Sequence, residues 1–389
     1  MTRIIEFLIA LGIVAVLFLV VGIVLPSKRH ISESVETNRR MTIVYDTVNN
    51  LRRFKDWNPL VLRDPKVQLN VSGAESGVGA RLDYSSELGQ IGKGSWEITE
   101  SVPNEKVVIK IDDESKGDNK VTQFLLEATG KNNRNVKITQ TYDVEYGFNL
   151  FGRYAGLYVN RHIGDDLKLG LARMTTMLAS VPNFDYRNPD VPLVDLKIVD
   201  VPAEDLLVVN AGNIDRTNDA IKQSIQNNQE WIKRTLEASN LEAAGPVRII
   251  TTDFGAEKYA FDVALPVRRK GTGPAAEPTP AAAEGDAAEG EQKPAAPINA
   301  PLVAAEGEPL NVTIPAGAPV EYVRTQPRRA AFASYTGFMA ELDAVRNAVR
   351  AWATTNGYEV ADRPYEAWKG GVDNAFTAEG QYDIYWAVK

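Results

Sequence analysis

Ile4 to Leu25 is an apolar run of 22 residues interrupted only by Glu6. At 1.5 Å per residue a helix of that length extends about 33 Å, enough to cross a bilayer's hydrocarbon core. The run is longer than the apolar region of a usual secretory signal, and Pro26-Ser27-Lys28-Arg29 after it has no small-x-small cleavage site. A buried core helix would carry a polar stripe, and none follows Glu6. Residues 1–27 are therefore expected to form one transmembrane anchor. Lys28, Arg29, Arg39 and Arg40 follow the helix while only Arg3 precedes it, so the positive-inside bias places the body in the cytoplasm, at the inner membrane of a bacterium. The absence of cysteine leans the other way, since exported chains avoid stray thiols.

Composition narrows the chemistry. With no cysteine and only His30 and His162, disulfides, thiolate or multi-histidine metal centres and a Cys nucleophile are excluded. His162, Asp165 and Asp166 stand at helical i, i+3, i+4 spacing. Three ligands from one turn are uncommon, so these charges are expected to face solvent and no metal or cofactor is assigned. The formal charge is -8, yet residues 271–309 hold seven Asp or Glu against one Lys, which leaves the rest close to neutral and nucleic acid an unlikely partner. The stretch 269–309 is mostly Ala, Pro, Gly and Glu without an aromatic, and reads as a disordered linker. The 389 residues otherwise suffice for two bodies: 28–180, then after a connector at 181–191 a second body whose halves, 192–268 and 310–389, flank the linker.

In the first body an extended segment (Arg29 to Asn38) and a helical stretch (Thr42 to Phe54) precede six alternating runs. These are Val67 to Ser72, Ala80 to Ser86, Gly94 to Glu100, Lys106 to Asp112, Val121 to Ala128 and Val136 to Tyr146. Short turns between them indicate an antiparallel sheet. Phe148 to Ser180 then reads as one long helix, with Phe151, Tyr154, Leu157 or Tyr158, Leu167, Leu171, Met174 and Leu178 on one face. A sheet closed over such a helix leaves a cavity. Gly77 and Gly79 suit turns of positive φ, and Trp57 an apolar anchor. The stretches FKDWNPL, SGAESGVGARLDY, GKGSWEITESVPNEKV and FNLFGRYAGLYVNRHIGDDLKLGLARM resemble the polyketide cyclase/dehydrase and lipid-transport branch of the START-like, SRPBCC superfamily. The resemblance implies a helix-grip fold with a deep apolar cavity, mostly used to bind or carry hydrophobic small molecules, and no fixed catalytic set.

The second body repeats an order. Strands at Val194 to Asp200 and Leu206 to Asn210, a helix at Asp219 to Ser239, and strands at Pro246 to Asp253 and Lys258 to Val267 come before the linker. After it come strands at Leu310 to Ile314 and at Val320 to Arg324, running toward Tyr335, a helix at Ala340 to Asn356, and strands at Arg363 to Lys369 and Gln381 to Lys389. Together with VDVPA, GPVRII, ALPV, YTGFM, PYEAW and YDIYWAVK, this pseudo-repeat resembles the GyrI-like domain, the effector-binding part of several bacterial transcription activators. That resemblance implies a ligand in the cleft between the halves and a strand Glu contacting cationic lipophilic ligands, a position matched by Glu366. No helix-turn-helix precedes this copy, which removes the DNA-binding role.

The fold class expected is thus α+β: an N-terminal transmembrane helix, a helix-grip sheet, then a duplicated strand-helix-strand-strand domain. Glu366 and Trp368 project to one face of their strand, a carboxylate beside an indole that suits a cation. Tyr365, Tyr335, Trp352, Tyr382 and Trp386 complete the expected ligand-binding set; the alternative is a solvated Glu366 among core aromatics. The function expected is a membrane-anchored binding protein for hydrophobic, amphipathic or cationic lipophilic small molecules, one cavity per domain. The alternatives are a hydrolase of a strained or electrophilic compound with Glu366 as general acid or base, a cyclase or dehydratase activity in the first body, and a regulatory scaffold signalling through the linker.

Overall fold

A computed structural model describes residues 2–272, 279–280 and 308–389, so most of the expected linker lies outside the described residues. The protein is a mixed α+β structure with two antiparallel sheets and an apolar N-terminal helix. Two compact units part between Val181 and Pro182.

The first unit runs α1 (Thr2–Val24), β1 (Lys28–Thr37), α2 (Met41–Val48), α3 (Phe54–Trp57), α4 (Leu60–Arg63), β2 (Gln68–Gly73), β3 (Ala80–Ser85), β4 (Lys93–Val102), β5 (Lys106–Asp113), β6 (Asp118–Thr129), β7 (Asn135–Glu145), α5 (Leu150–Ala155) and α6 (Val159–Ala179). Its seven strands lie in the order β1-β7-β6-β5-β4-β3-β2. Period-two burial explains the sheet: Leu82 and Tyr84 on β3 and Val107, Ile109 and Ile111 on β5 are buried, with less buried residues between them, and Val136, Ile138, Gln140, Tyr142 and Val144 are buried at the same period on β7. Gly77 and Gly79 have φ of 74° and 89°, the left-handed turns their sequence suggests.

Helix α6 lies against β1, β7 and α3 and buries Leu167, Leu171, Met174 and Leu178. Each such side chain contributes roughly 1.5–3 kcal/mol. Its C-terminal carbonyls are capped by Arg39, whose guanidinium donates to Leu178 O at 2.8 Å and Ala179 O at 2.6 Å. The antiparallel sheet over a long helix is the arrangement expected of a helix-grip body.

The single helix expected over Phe148 to Ser180 is instead two, α5 and α6, separated at 156–158. The cause is close packing on Tyr146: a Cβ at Gly152 would stand 2.8 Å from its ring and one at Gly156 2.9 Å. Seated there, α5 does not share the apolar face of α6. Phe151 is exposed, and Tyr154 turns to α1, stacking on Phe18 with ring centroids 4.5 Å apart.

The second unit contains β8 (Val194–Val201), β9 (Asp205–Asp215), α7 (Asn218–Ser239), β10 (Leu241–Ala243), β11 (Arg248–Phe254), β12 (Lys258–Arg269), β13 (Thr279–Pro280), β14 (Val320–Arg324), β15 (Arg328–Thr336), α8 (Leu342–Thr355), β16 (Tyr365–Trp368), α9 (Gly371–Asn374) and β17 (Gln381–Val388). The sheet order is β13-β8-β15-β17-β16-β11-β12-β9-β14, with β10 paired to β12. Helices α7 and α8 share one apolar cluster that includes Ile221, Ile225, Val345 and Val349.

Two expectations differ here. Leu310 to Ile314 forms no strand, because Leu310 N–H donates to the Tyr322 hydroxyl and Thr313 N–H to Ser239 Oγ, side-chain acceptors in place of a ladder. Val320 to Arg324 is the strand expected, β14, paired with β9, but the continuation toward Tyr335 is a separate strand, β15, which lies between β8 and β17. The chain turns at Thr325, whose N–H donates to Glu204 O, and Pro327 has no N–H for a continuous ladder.

The close approach of α5 is testable. Gly152→Val should lower stability by about 1–3 kcal/mol, the cost of overpacking against a buried ring, and lower the melting temperature of the solubilised chain accordingly.

Candidate functional site

A cavity of about 300 Å³ opens between the first sheet and its helices, lined among others by Trp57, Tyr84, Trp96, Gln140, Tyr142 and Leu167. One wall is an aromatic cluster. Trp57 meets Phe124 edge-on at 5.7 Å and Phe54 at 5.5 Å between centroids, and Phe54 meets Trp96 at 5.0 Å. Trp57 is the buried anchor its sequence suggested, at 3% exposure, but it also brings an indole N–H with no hydrogen-bond partner.

The facing strands add polarity. Thr122 Oγ1 donates to Thr141 O at 2.7 Å and accepts from Gln140 Nε2 at 3.2 Å. Gln140 Oε1 is left buried and unpartnered on a side chain only 2% exposed. Trp57 Nε1 and Gln140 Oε1 thus stay buried without partners, each costing about 1–3 kcal/mol. Tyr84 and Tyr142 are held as neutral phenols, because burial and then the Asp113 charge raise their pKa far above the ordinary value.

Two ion pairs edge this cavity. Lys120, 4% exposed, donates to Asp113 Oδ1 at 2.5 Å and to the carbonyls of Asp113 and Ser115. Burial opposes ionisation of Asp113, but hydrogen bonds from Lys120 and Ser115 outweigh it and hold the carboxyl below its usual range. Across the mouth, Arg63 on α4 donates to Asp166 on α6 at 2.5 Å. Asp166 was expected in solvent with His162 and Asp165. Those two are exposed, whereas Asp166 lines the cavity and its pKa is raised, chiefly by burial, against the opposing charge of Arg63.

In the second unit the expected residues divide between the two faces of the sheet. Glu366, Trp368, Tyr335 and Tyr382 lie on the side of α8: Trp368 meets Tyr382 edge-on at 5.7 Å, and Tyr335 stacks on Tyr382 at 6.1 Å. Glu366 is wholly buried. Its Oε1 accepts from Arg346 Nε at 2.5 Å, and Arg346 Nη2 donates to the Tyr259 hydroxyl at 3.2 Å. Burial raises the Glu366 pKa against the pull of Arg346, and pushes that of Tyr259 up to about 12. Tyr365 belongs to the opposite face, stacked on Tyr385 at 4.8 Å with Arg248 over its ring. Trp352 packs at the edge of the α8-side cluster, and Trp386 donates to Asp362 O beneath Arg350. Sequence spacing placed Glu366 and Trp368 on one face, but nothing in it signalled Arg346 as the partner of Glu366 or the unused groups of Trp57 and Gln140.

No family model and no curated protein matches the chain. Among solved structures it is similar to norcoclaurine synthase from Thalictrum flavum in complex with dopamine and hydroxybenzaldehyde, at 10% identity over 38% of this chain and 87% of that one, with a TM-score of 0.30. Proteins from Chromobacterium violaceum (11% identity, 39% and 98% covered, TM-score 0.29) and Nitrosospira multiformis (14%, 39% and 97%, 0.31) are similar to it as well.

The Asp113 pair sets an acid response. A carboxyl with a depressed folded pKa contributes stability above its unfolded value near 4 and loses it as pH falls through the folded one. Asp113→Asn should cost about 1–3 kcal/mol at pH 7, with the gap to the parent narrowing in denaturant titrations as pH falls below the unfolded value.

Proposed function

We propose that the protein is a membrane-anchored binding protein whose SRPBCC-like first unit holds a hydrophobic or amphipathic small molecule. The observation that carries this reading is the cavity of about 300 Å³ between sheet and helices, walled by Trp57, Trp96, Tyr84 and Leu167 with the polar Gln140 among them. That volume is at the lower end for small-molecule sites, which are mostly apolar with a few placed polar groups. A guest with an apolar body and one hydroxyl suits such a lining, because a hydroxyl can both donate and accept. The cavity would also serve a cyclase or dehydratase, but Asp113 is committed to Lys120 and Asp166 to Arg63, which favours binding over turnover.

Helix α1 supports the anchor: it is long and apolar enough to cross a membrane, with a mean hydropathy of 3.2 over its apolar window. The basic residues after it favour a cytoplasmic body. The experiment is titration of the detergent-solubilised chain with naphthalene and 1-naphthol, read by quenching of tryptophan emission. Gln140→Leu should weaken 1-naphthol about tenfold, equivalent to 1.4 kcal/mol, and leave naphthalene within twofold. If neither probe binds the parent protein, the cavity reading fails.

A second guest site in the GyrI-like body is favoured by one observation: Glu366 Oε2, Arg346 Nη1 and Trp368 Nε1 are all buried without partners. With Oε1 held by Arg346, a cationic lipophilic guest would meet Glu366 through Oε2. The hydrolase reading has less support, because the carboxylate is wholly buried and already paired. Glu366→Gln should abolish binding of cationic dyes while 1-naphthol binding is retained. Unchanged dye affinity in a variant with the parental melting temperature would remove this second site.

A further inference from the structure

Between β7 and α6 the first unit exposes an unusual run of large apolar side chains. Phe148 is 95% exposed, Phe151 69%, Leu157 51% and Tyr158 63%, all within eleven consecutive residues. Scattered surface apolar residues need no explanation, but a contiguous apolar patch marks an interaction surface.

What covers this patch follows from what α5 is fastened to. Phe18 of α1 stacks on Tyr154 at 4.5 Å and tilts against Phe151 at 5.4 Å, and the Tyr154 hydroxyl donates to Phe18 O at 2.8 Å. Arg153, buried on α5, donates through Nη1 to Ile23 O at 2.8 Å, Leu25 O at 3.2 Å and Gly22 O at 3.3 Å, capping the carbonyl end of α1. The same guanidinium donates to Gly147 O through Nε and Nη2. A cation at a helix C-terminus meets both the dipole and the orphan carbonyls.

Phe18 lies six residues before the end of α1 at Val24, which is about 9 Å along the axis at 1.5 Å per residue. The contact thus sets α5 beside the last apolar turns of α1, not beyond them. If α1 crosses a membrane, those turns are within the bilayer's boundary zone. The exposed aromatics of 148–158 are then at the depth where amphipathic aromatic rings settle.

We infer that residues 148–158 form a second membrane-contacting element, an interfacial foot whose Phe148, Phe151, Leu157 and Tyr158 insert into the headgroup and acyl boundary of a phospholipid bilayer. The inference rests on the proposed membrane anchor. Anchor and foot together hold the first unit with the α1 end of β1 against the bilayer. The far end of the β1 and β7 pair, where Thr37 faces Val136, is separated from the α1 end by the length of β1, about 30 Å at 3.4 Å per residue.

The chain has no cysteine, so single labelling sites can be introduced into the full protein. Phe148→Cys, Tyr158→Cys and, at the far end, Lys131→Cys would each carry an NBD fluorophore, with the chain reconstituted in phosphatidylcholine and phosphatidylglycerol vesicles. Labels at 148 and 158 should emit at shorter wavelength. Lipids bearing a doxyl group at acyl carbon 5 should quench them at least twofold more than the label at 131, and aqueous iodide should quench them less. Flotation of the protein with vesicles while labels 148 and 158 stay as accessible to iodide as label 131 would overturn the foot and leave the anchor standing. Failure to float would overturn both.

Discussion

The first unit depends on incomplete filling of the space between a sheet and its helices. Phe54, Trp57, Trp96 and Phe124 interlock edge to face and pack one part of that space densely. Rings of this size prefer offset and T-shaped contacts, and such contacts hold the wall rigid beside the void. The helix α6 cannot collapse into the remainder, because Gly170 already stands against Pro59, 3.3 Å from where a Cβ would be, and Arg63 holds Asp166 across the mouth. A cavity whose walls are braced in this way persists without a guest and accepts one with little reorganisation.

Charge in both units is handled by pairing. Lys120 and Asp113 on the first sheet, and Arg346 and Glu366 in the second, face each other as close pairs, with added hydrogen bonds from Lys120 to Ser115 O and from Arg346 to the Tyr259 hydroxyl. Buried pairs of this kind are poor net stabilisers but costly to break, so each makes its neighbourhood intolerant of single substitutions. In the second unit the pair consumes one oxygen of the carboxylate that the GyrI-like resemblance assigns to a ligand. Any guest there must engage Glu366 in the presence of Arg346.

The α5 segment joins the two themes. Close packing of Gly152 and Gly156 on Tyr146 fixes α5 to the sheet, and Arg153 ties it to the end of α1. The first unit is therefore fastened to its apolar helix by side-chain contacts and hydrogen bonds as well as by the short Leu25 to Ser27 connection. Rigid coupling of this kind would set the orientation of the unit at a membrane surface.

Local patterns in the sequence were enough to identify the apolar helix, the strands of the first sheet and most of those of the second, the α7 and α8 helices and the same-face placement of Glu366 and Trp368. Each follows from periodicity or from turn residues, which act over a few neighbours. The break between α5 and α6, the separation of β14 from β15, the turning of Asp166 into the cavity, and the pairing of Glu366 with Arg346 were decided only by tertiary structure. Each depends on a partner brought near by folding: Tyr146 for Gly152, Glu204 for Thr325, Arg63 for Asp166, Arg346 across 20 residues for Glu366. The polar groups of the cavity belong to the same class, since Trp57 and Gln140 are 83 positions apart. An unused hydrogen-bonding capacity exists only once the surrounding groups have been placed and found not to satisfy it.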